Sequence, residues 1–149
     1  VAVDALVLAA SQDGAVHAFD GRTGARQWSI AATAPSASGA FEYRALARAG
    51  SSVVAASLTG LVTAYDLHTR LVRWRRRVLS ASVMFGLATD ERAVYVPYLS
   101  GDLVALDADD GDPRWRTTPD ASGFSWKPLV AAGRVFAAST SAGFFAFHP

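Results

Sequence analysis

Short apolar runs separated by turn chemistry fill the chain from end to end. Leu6 to Ala10, Val53 to Ala56, Ala93 to Val96 and Val135 to Ala138 are strand-length and apolar at consecutive positions, the pattern of strands covered on both faces. A turn follows each, and then a second run ending in alanine plus a bulky residue: Ala18-Phe19, Ala64-Tyr65, Ala105-Leu106 and Ala146-Phe147. Successive alanines are 46, 41 and 41 residues apart, and eleven residues before each stands a valine, Val7, Val53, Val94 and Val135. The chain is therefore a repeat, and its fold has to be read at that period.

Trp28, Trp74 and Trp115 keep the same phase, each 14 residues after a glycine, Gly14, Gly60 and Gly101. From the first tryptophan to the next valine the interval is 25 residues, against 20 later, which places an insertion of five within Ala31 to Phe41. Extended segments are predicted before each valine, at Val1 to Val3, Tyr43 to Ala47, Val83 to Ala88 and Pro128 to Ala131, and a further strand ends at each in-phase tryptophan. Phe41 to Ala49 is rich in helix formers, but its place in the repeat predicts a strand.

Four short strands per unit of about 40 residues, apolar on both faces, predict an all-β fold: a β-propeller of four-stranded antiparallel blades stacked face to face. The repeats fall at about 1–30, 42–79, 83–117 and 127–149, one partial propeller over 1–149, with the fourth blade lacking its outer strand.

Composition narrows the partners. Hydrophobic residues make up 51% of the chain and charged ones 18%, and the net charge is +1, so no strong field recruits nucleic acid or an anionic membrane. No apolar stretch approaches the roughly 20 residues of a membrane helix. The absence of cysteine removes disulfides, Cys-ligated metal and thiol nucleophiles.

The segments Ala18-Phe19-Asp20-Gly21-Arg22-Thr23-Gly24 leading to Trp28, Ala64-Tyr65-Asp66 through Thr69-Arg70 leading to Trp74, and Ala105-Leu106-Asp107 through Asp110-Gly111 leading to Trp115 resemble the tryptophan-docking pattern A-x-D-x-x-T-G-x-x-x-W of PQQ-like (pyrroloquinoline quinone-like) propeller repeats. The resemblance covers essentially the whole chain. It implies that Asp20, Gly24, Trp28, Asp66, Trp74, Asp107, Gly111 and Trp115 lock neighbouring blades together. Arg70 replaces a glycine and Asp110 a threonine, which puts in question the docking contact at blade two and the turn at blade three. Relatives with this repeat close with seven or eight blades, so the chain is expected to form part of a larger ring; the alternatives are a homodimer that completes one, or an open or four-bladed form whose exposed edges would tend to associate.

The family contains quinoprotein dehydrogenases and non-catalytic propellers. Dehydrogenases resemble one another in a vicinal cysteine pair beside the quinone and an amide and carboxylates on calcium, whereas this chain has no cysteine, no asparagine and only Glu42 and Glu91 as glutamates. The resemblance therefore implies a non-catalytic scaffold or sensor, like BamB-type outer-membrane assembly lipoproteins or extracytoplasmic sensor propellers, in the periplasm or another extracytoplasmic space and without cofactor or metal. The alternative is a dehydrogenase fragment whose cofactor site lies outside this chain.

Asp107 to Asp112 is dense in oxygen ligands, but position twelve of a calcium loop would be Thr118 where a bidentate Glu is needed. Departures from the repeat mark candidate contacts for a protein or small ligand. Pro97-Tyr98 stands where other repeats have Ala-Ser, and a bulge there would re-aim Tyr98. Trp126 is the tryptophan out of phase, next to the only lysine, Lys127; Phe41 lies in the insertion; and Arg75 and Arg77 belong to a cationic run around Trp74. On an outer strand such charge guards against edge pairing, or docks an anionic surface.

Overall fold

Hairpin turns set the topology. Glycines in the turns after the second strands take positive φ, as at Gly60 (80°) and Gly101 (84°), so consecutive strands fold back as antiparallel neighbours. The computed structural model describes residues 1–11, 13–31, 43–83 and 86–149, and every regular element among them is a strand.

Blade one holds β1 (Ala2–Val3), β2 (Leu6–Ala10), β3 (Val16–Asp20) and β4 (Arg26–Ile30); blade two holds β5 (Tyr43–Ala49), β6 (Ser52–Ser57), β7 (Leu61–Asp66) and β8 (Val72–Arg77). Blade three holds β9 (Ala88–Thr89), β10 (Ala93–Pro97), β11 (Leu103–Asp107) and β12 (Pro113–Thr117). Blade four holds β13 (Leu129–Ala131), β14 (Arg134–Ala138) and β15 (Phe144–Phe147). Each sheet keeps its strands in chain order, and the fourth has three. In the first three blades the register shifts just after the repeat's alanine, at Ala18/Phe19, Ala64/Tyr65 and Ala105/Leu106, a bulge that twists the outer strand.

Helix propensity loses to packing in residues 43–49. Tyr43, Ala45, Ala47 and Ala49 are buried at alternate positions of β5, which pairs along β6. Blade three departs from expectation at Pro97. No bulge forms between β10 and β11, whose register runs evenly to Pro97–Leu103; the irregularity lies on the inner side. The β9 ladder stops at Ala88–Tyr95, and Tyr98 is bridged by Val83 outside it.

Three apolar layers join the blades. Leu8, Val16 and Ala18 meet Val53, Ala55 and Tyr65; Val54, Val62 and Ala64 meet Val94, Val96 and Leu106; Tyr95, Leu103 and Ala105 meet Val135, Ala137 and Phe147. Contacts between sheets link β2 with β5, β5 with β9 and β9 with β13, so the four blades form an open arc with one uncovered face at each end.

Candidate functional site

Joints between blades are built from the turn upward. In blade one Asp20 Oδ1 accepts from the backbone N–H of Arg22 (3.0 Å) and Thr23 (2.7 Å) and from Thr23 Oγ1 (2.8 Å). Asp66 repeats this in blade two with His68 N–H (2.9 Å), Thr69 N–H (2.7 Å) and Thr69 Oγ1 (3.1 Å). Backbone donation from the threonine holds both carboxyls below the usual carboxylate range. In blade three Asp107 accepts from Asp109 N–H (2.9 Å), and Asp110, standing for threonine, accepts from Asp112 N–H (2.8 Å), so the turn persists with a different acceptor.

Blade two docks on that turn. Trp74 is 5% exposed, its Nε1 donates to Ala108 O at 3.0 Å, and its ring lies so close to Gly111 that an added Cβ would sit within 3.0 Å of it. Arg76 adds an ion pair to Asp112, Nη2 to Oδ1 at 2.5 Å. Blade one docks differently. Arg70 keeps the glycine conformation, φ 63°, and lays its guanidinium over the Trp28 ring at 5.4 Å. Trp115 packs against Tyr95 and Phe147 at 5.8 and 6.2 Å and stays half-buried. Gly24, at φ 71°, has nothing within 4 Å of where a Cβ would stand.

Residues singled out for partner contact do not form one cluster. Tyr98 is 1% exposed between blades two and three, its ring edge near Gly60, and burial pushes its hydroxyl up to about 12, so it is not re-aimed to the surface. Arg75 is half-buried on β8, and Arg77 is exposed and donates to Thr59 Oγ1 at 3.3 Å. Phe41 lies outside the described residues.

Trp126 and Lys127 do come together with an unexpected group. Trp126 is 68% exposed, and with Lys127, Leu129, Phe136 and Phe144 it lines an apolar cavity of about 340 Å³ on the outer face of blade four. Lys127 is exposed, with its stem packed on Gly86. Leu129, Phe136 and Phe144 are missed by a search for unusual residues because they are ordinary repeat positions. Their signal is positional: they lie on the face of blade four turned away from blade three.

One polar cluster braces blade three and a second ties the crossing after it to blade four. Asp102, buried, accepts from Arg116 Nε (2.7 Å), Thr118 Oγ1 (2.6 Å) and Ser100 Oγ (2.6 Å). Burial pushes its carboxyl up, but these donors together bring it below the usual range. Asp120 accepts from the hydroxyls of Ser122, Ser139 and Ser141, which hold its carboxyl far down. Ser57 and Ser139 cap their own turns, at Leu61 N–H (3.1 Å) and at the Ser141 (3.0 Å) and Ala142 (2.9 Å) amides, a structural use of that repeat position. Among the described residues no group of three or more His, Asp or Glu could hold a metal ion, and without cysteine or asparagine the chain does not fit a quinone–calcium pair.

A family model described as outer membrane protein assembly factor BamB matches residues 1–83 and 58–148, nearly the whole chain. The solved structure of BamB from Moraxella catarrhalis is 23% identical with a TM-score of 0.76, over 96% of this chain and 42% of that one. Two computationally designed proteins share the fold at 15% identity and a TM-score of 0.81: Ika8, over 100% of this chain and 44% of that one, and Ika4, over 99% and 87%. No curated protein matches. The chain thus spans less than half the length of the BamB structure.

Proposed function

The chain belongs to the family of the outer membrane protein assembly factor BamB, and from that membership we propose that it is a non-catalytic scaffold that binds a protein partner in an extracytoplasmic compartment. One observation carries the reading: the arc of blades presents Trp126, Leu129 and Phe144 to solvent around an apolar cavity that Lys127 also lines. Large exposed apolar groups clustered in one place mark interaction surfaces, and an aromatic beside a cation is the composition of an interface anchor. The tryptophan joint of blade two and the Asp120 cluster tie neighbouring blades together, while the Asp102 cluster braces blade three itself.

A photo-cross-linking residue in place of Trp126 tests the surface in intact cells. Protein adducts are expected, and Lys127→Glu should reduce them; an absence of adducts sinks the reading. Catalysis is tested separately by adding pyrroloquinoline quinone and calcium and following dye reduction. No quinone-dependent turnover is expected, and any turnover rejects the non-catalytic assignment.

A further inference from the structure

Arginine is concentrated on one outer strand. β8 reads VRWRRR, against a single arginine in β4 (RQWSI) and two in β12 (PRWRT). The outer strand of a blade looks away from the propeller axis, and the sheet of β8 has blade one packed on one face and blade three on the other, so its surroundings are those of an interior blade. Among the described residues β8 pairs with β7 alone, which leaves its other edge free. Trp74 and Arg76 point towards blade three, where Arg76 finds Asp112. Arg75 and Arg77 share the opposite face, towards blade one, and among the described residues neither pairs with a carboxylate. Arg73 is engaged, reaching the hydroxyls of Ser51 and Ser52 at 3.2 and 3.0 Å.

Donors converge beneath Arg75. Its register partner on β7 is Thr63, whose own partner on β6 is Ala55, in the apolar layer against blade one. Thr63 is 0% exposed with no hydrogen-bond partner at Oγ1, and the Arg75 Nε is buried and equally unpartnered. Beside them the Tyr43 and Tyr65 hydroxyls pair at 2.6 Å. Burial and the Tyr65 bond push the Tyr43 hydroxyl up, against a pull from Thr63 and from the charge of Arg75, so the four side chains form one cluster. Threonine and tyrosine can each donate, and arginine can do nothing else. Buried donors are ordinarily satisfied, and a carboxylate is the side chain that offers acceptors alone.

We propose that the free edge of β8 takes an extended acidic segment of a protein partner as a fifth strand of blade two, with one carboxylate on Arg75 and a second, two residues along, on Arg77. Alternate residues of a strand fall on one face about 6.6 Å apart, so the side chains set opposite Arg75 and Arg77 are themselves two apart in the added strand. Backbone bonds along the edge hold any extended segment, and the arginines select its sequence. Charge on an edge strand guards against pairing. A guard of one sign repels neutral and basic strands but admits an acidic one. A nucleic acid is less suited, because the net charge is +1 and a polyanion along this rim would also meet the acidic turns at Asp66 and from Asp107 to Asp112. The surface lies on a different blade from the Trp126 cavity and goes beyond the reading of that cavity.

Fluorescence anisotropy of the full chain with a short labelled peptide, in which Glu alternates with Thr and Val, tests this. Saturable binding that weakens steeply as salt rises is expected. Arg75→Gln should weaken it about tenfold, as loss of a charge-assisted pair does, whereas Arg76→Gln, whose partner is Asp112, should change it less than about twofold. Arg75→Lys keeps the charge without the planar fork and should recover only part of the loss. Near-ultraviolet circular dichroism reports whether each variant keeps the parent fold. Should Arg75→Gln unfold the chain, the exposed Arg77→Gln takes its place and should weaken binding at least about threefold. The proposal is overturned by an absence of binding at about 1 mM peptide, or by equal binding of a peptide of the same composition with its Glu residues in one block. Equal binding of a single-stranded oligothymidylate of matched charge, or a loss with Arg76→Gln as large as with Arg75→Gln, also overturns it. Peptide binding and cross-linking at position 126 are read separately, so either surface can fail while the other stands.

Discussion

Joint one and joint two perform the same task with different physics. At joint two Trp74 is sealed, hydrogen-bonded to Ala108 O and pressed on Gly111. At joint one Trp28 is half-buried, makes no such bond among the described residues, and faces the guanidinium of Arg70 where the motif places glycine. A repeat thus specifies where a ring must land. What it lands on is free to vary provided the backbone there can take a positive φ, as Arg70 and Gly111 both do.

Removing the rings tests the contrast most severely. Trp74→Ala should lower unfolding stability by about 3–5 kcal/mol, the range for a buried tryptophan that leaves a cavity. Trp28→Ala should cost about half that, since its ring keeps solvent on one side and its cation–π contact is worth only about 0.5–1 kcal/mol. Urea denaturation of both variants measures the gap, and equal losses would show the two joints to be equivalent.

Glycine supplies the next test. Gly111→Ala would put a methyl into the Trp74 ring at φ 77°, combining overpacking of about 1–3 kcal/mol with left-handed strain of about 1 kcal/mol. Gly24→Ala meets nothing within 4 Å, so only the strain term applies. The difference between the two midpoints reads the docking contact by itself. Were Gly24→Ala as damaging as Gly111→Ala, the close approach would not be what matters.

Acid should act on joint one through its acceptor turn. Asp66 has its pKa lowered by the Thr69 amide, so its contribution is fully present above the unfolded value of about 3.9 and is lost as pH falls through the folded value. Emission from Trp28, with the other tryptophans replaced by phenylalanine, should hold steady from pH 7 to 5 and shift red below pH 4. Asp66→Asn should abolish that acid step; a shift unchanged by the substitution would place the acid sensitivity elsewhere.

Much of the fold was legible because blade geometry repeats its constraints. The valine and alanine phases mark strands that the structure places at each blade's centre, and the five-residue excess marks a segment outside the described residues. Tyr98 was misread. Proline removes a ladder donor, and a bulge was expected on β10, but the misfit fell on the inner strand opposite and left Tyr98 in the core. Phe144 and Val7 were illegible for the opposite reason. They are normal repeat residues, and only the three-dimensional arc shows that they lie on its end faces. Trp126 could be singled out because it broke phase, whereas the group around it could not because it kept phase.

The smallest effect tells most about how joint one works. Arg70 sits at φ 63°, where a side chain costs about 1 kcal/mol, and regains about 0.5–1 kcal/mol over the Trp28 ring. Arg70→Gly removes both terms and adds unfolded-state freedom worth about 0.4–1 kcal/mol, so the net change should stay within about 1 kcal/mol of zero. Arg70→Ala keeps the strain and loses the contact, and should be less stable than the parent by about 0.5–1 kcal/mol. The two variants taken together separate backbone from ring, because both lack the guanidinium and differ mainly in tolerance of the left-handed turn. If alanine proves as stable as arginine, the cation–π contact contributes nothing and Trp28 is held by Leu67 and Val72 beside it, which share its apolar layer.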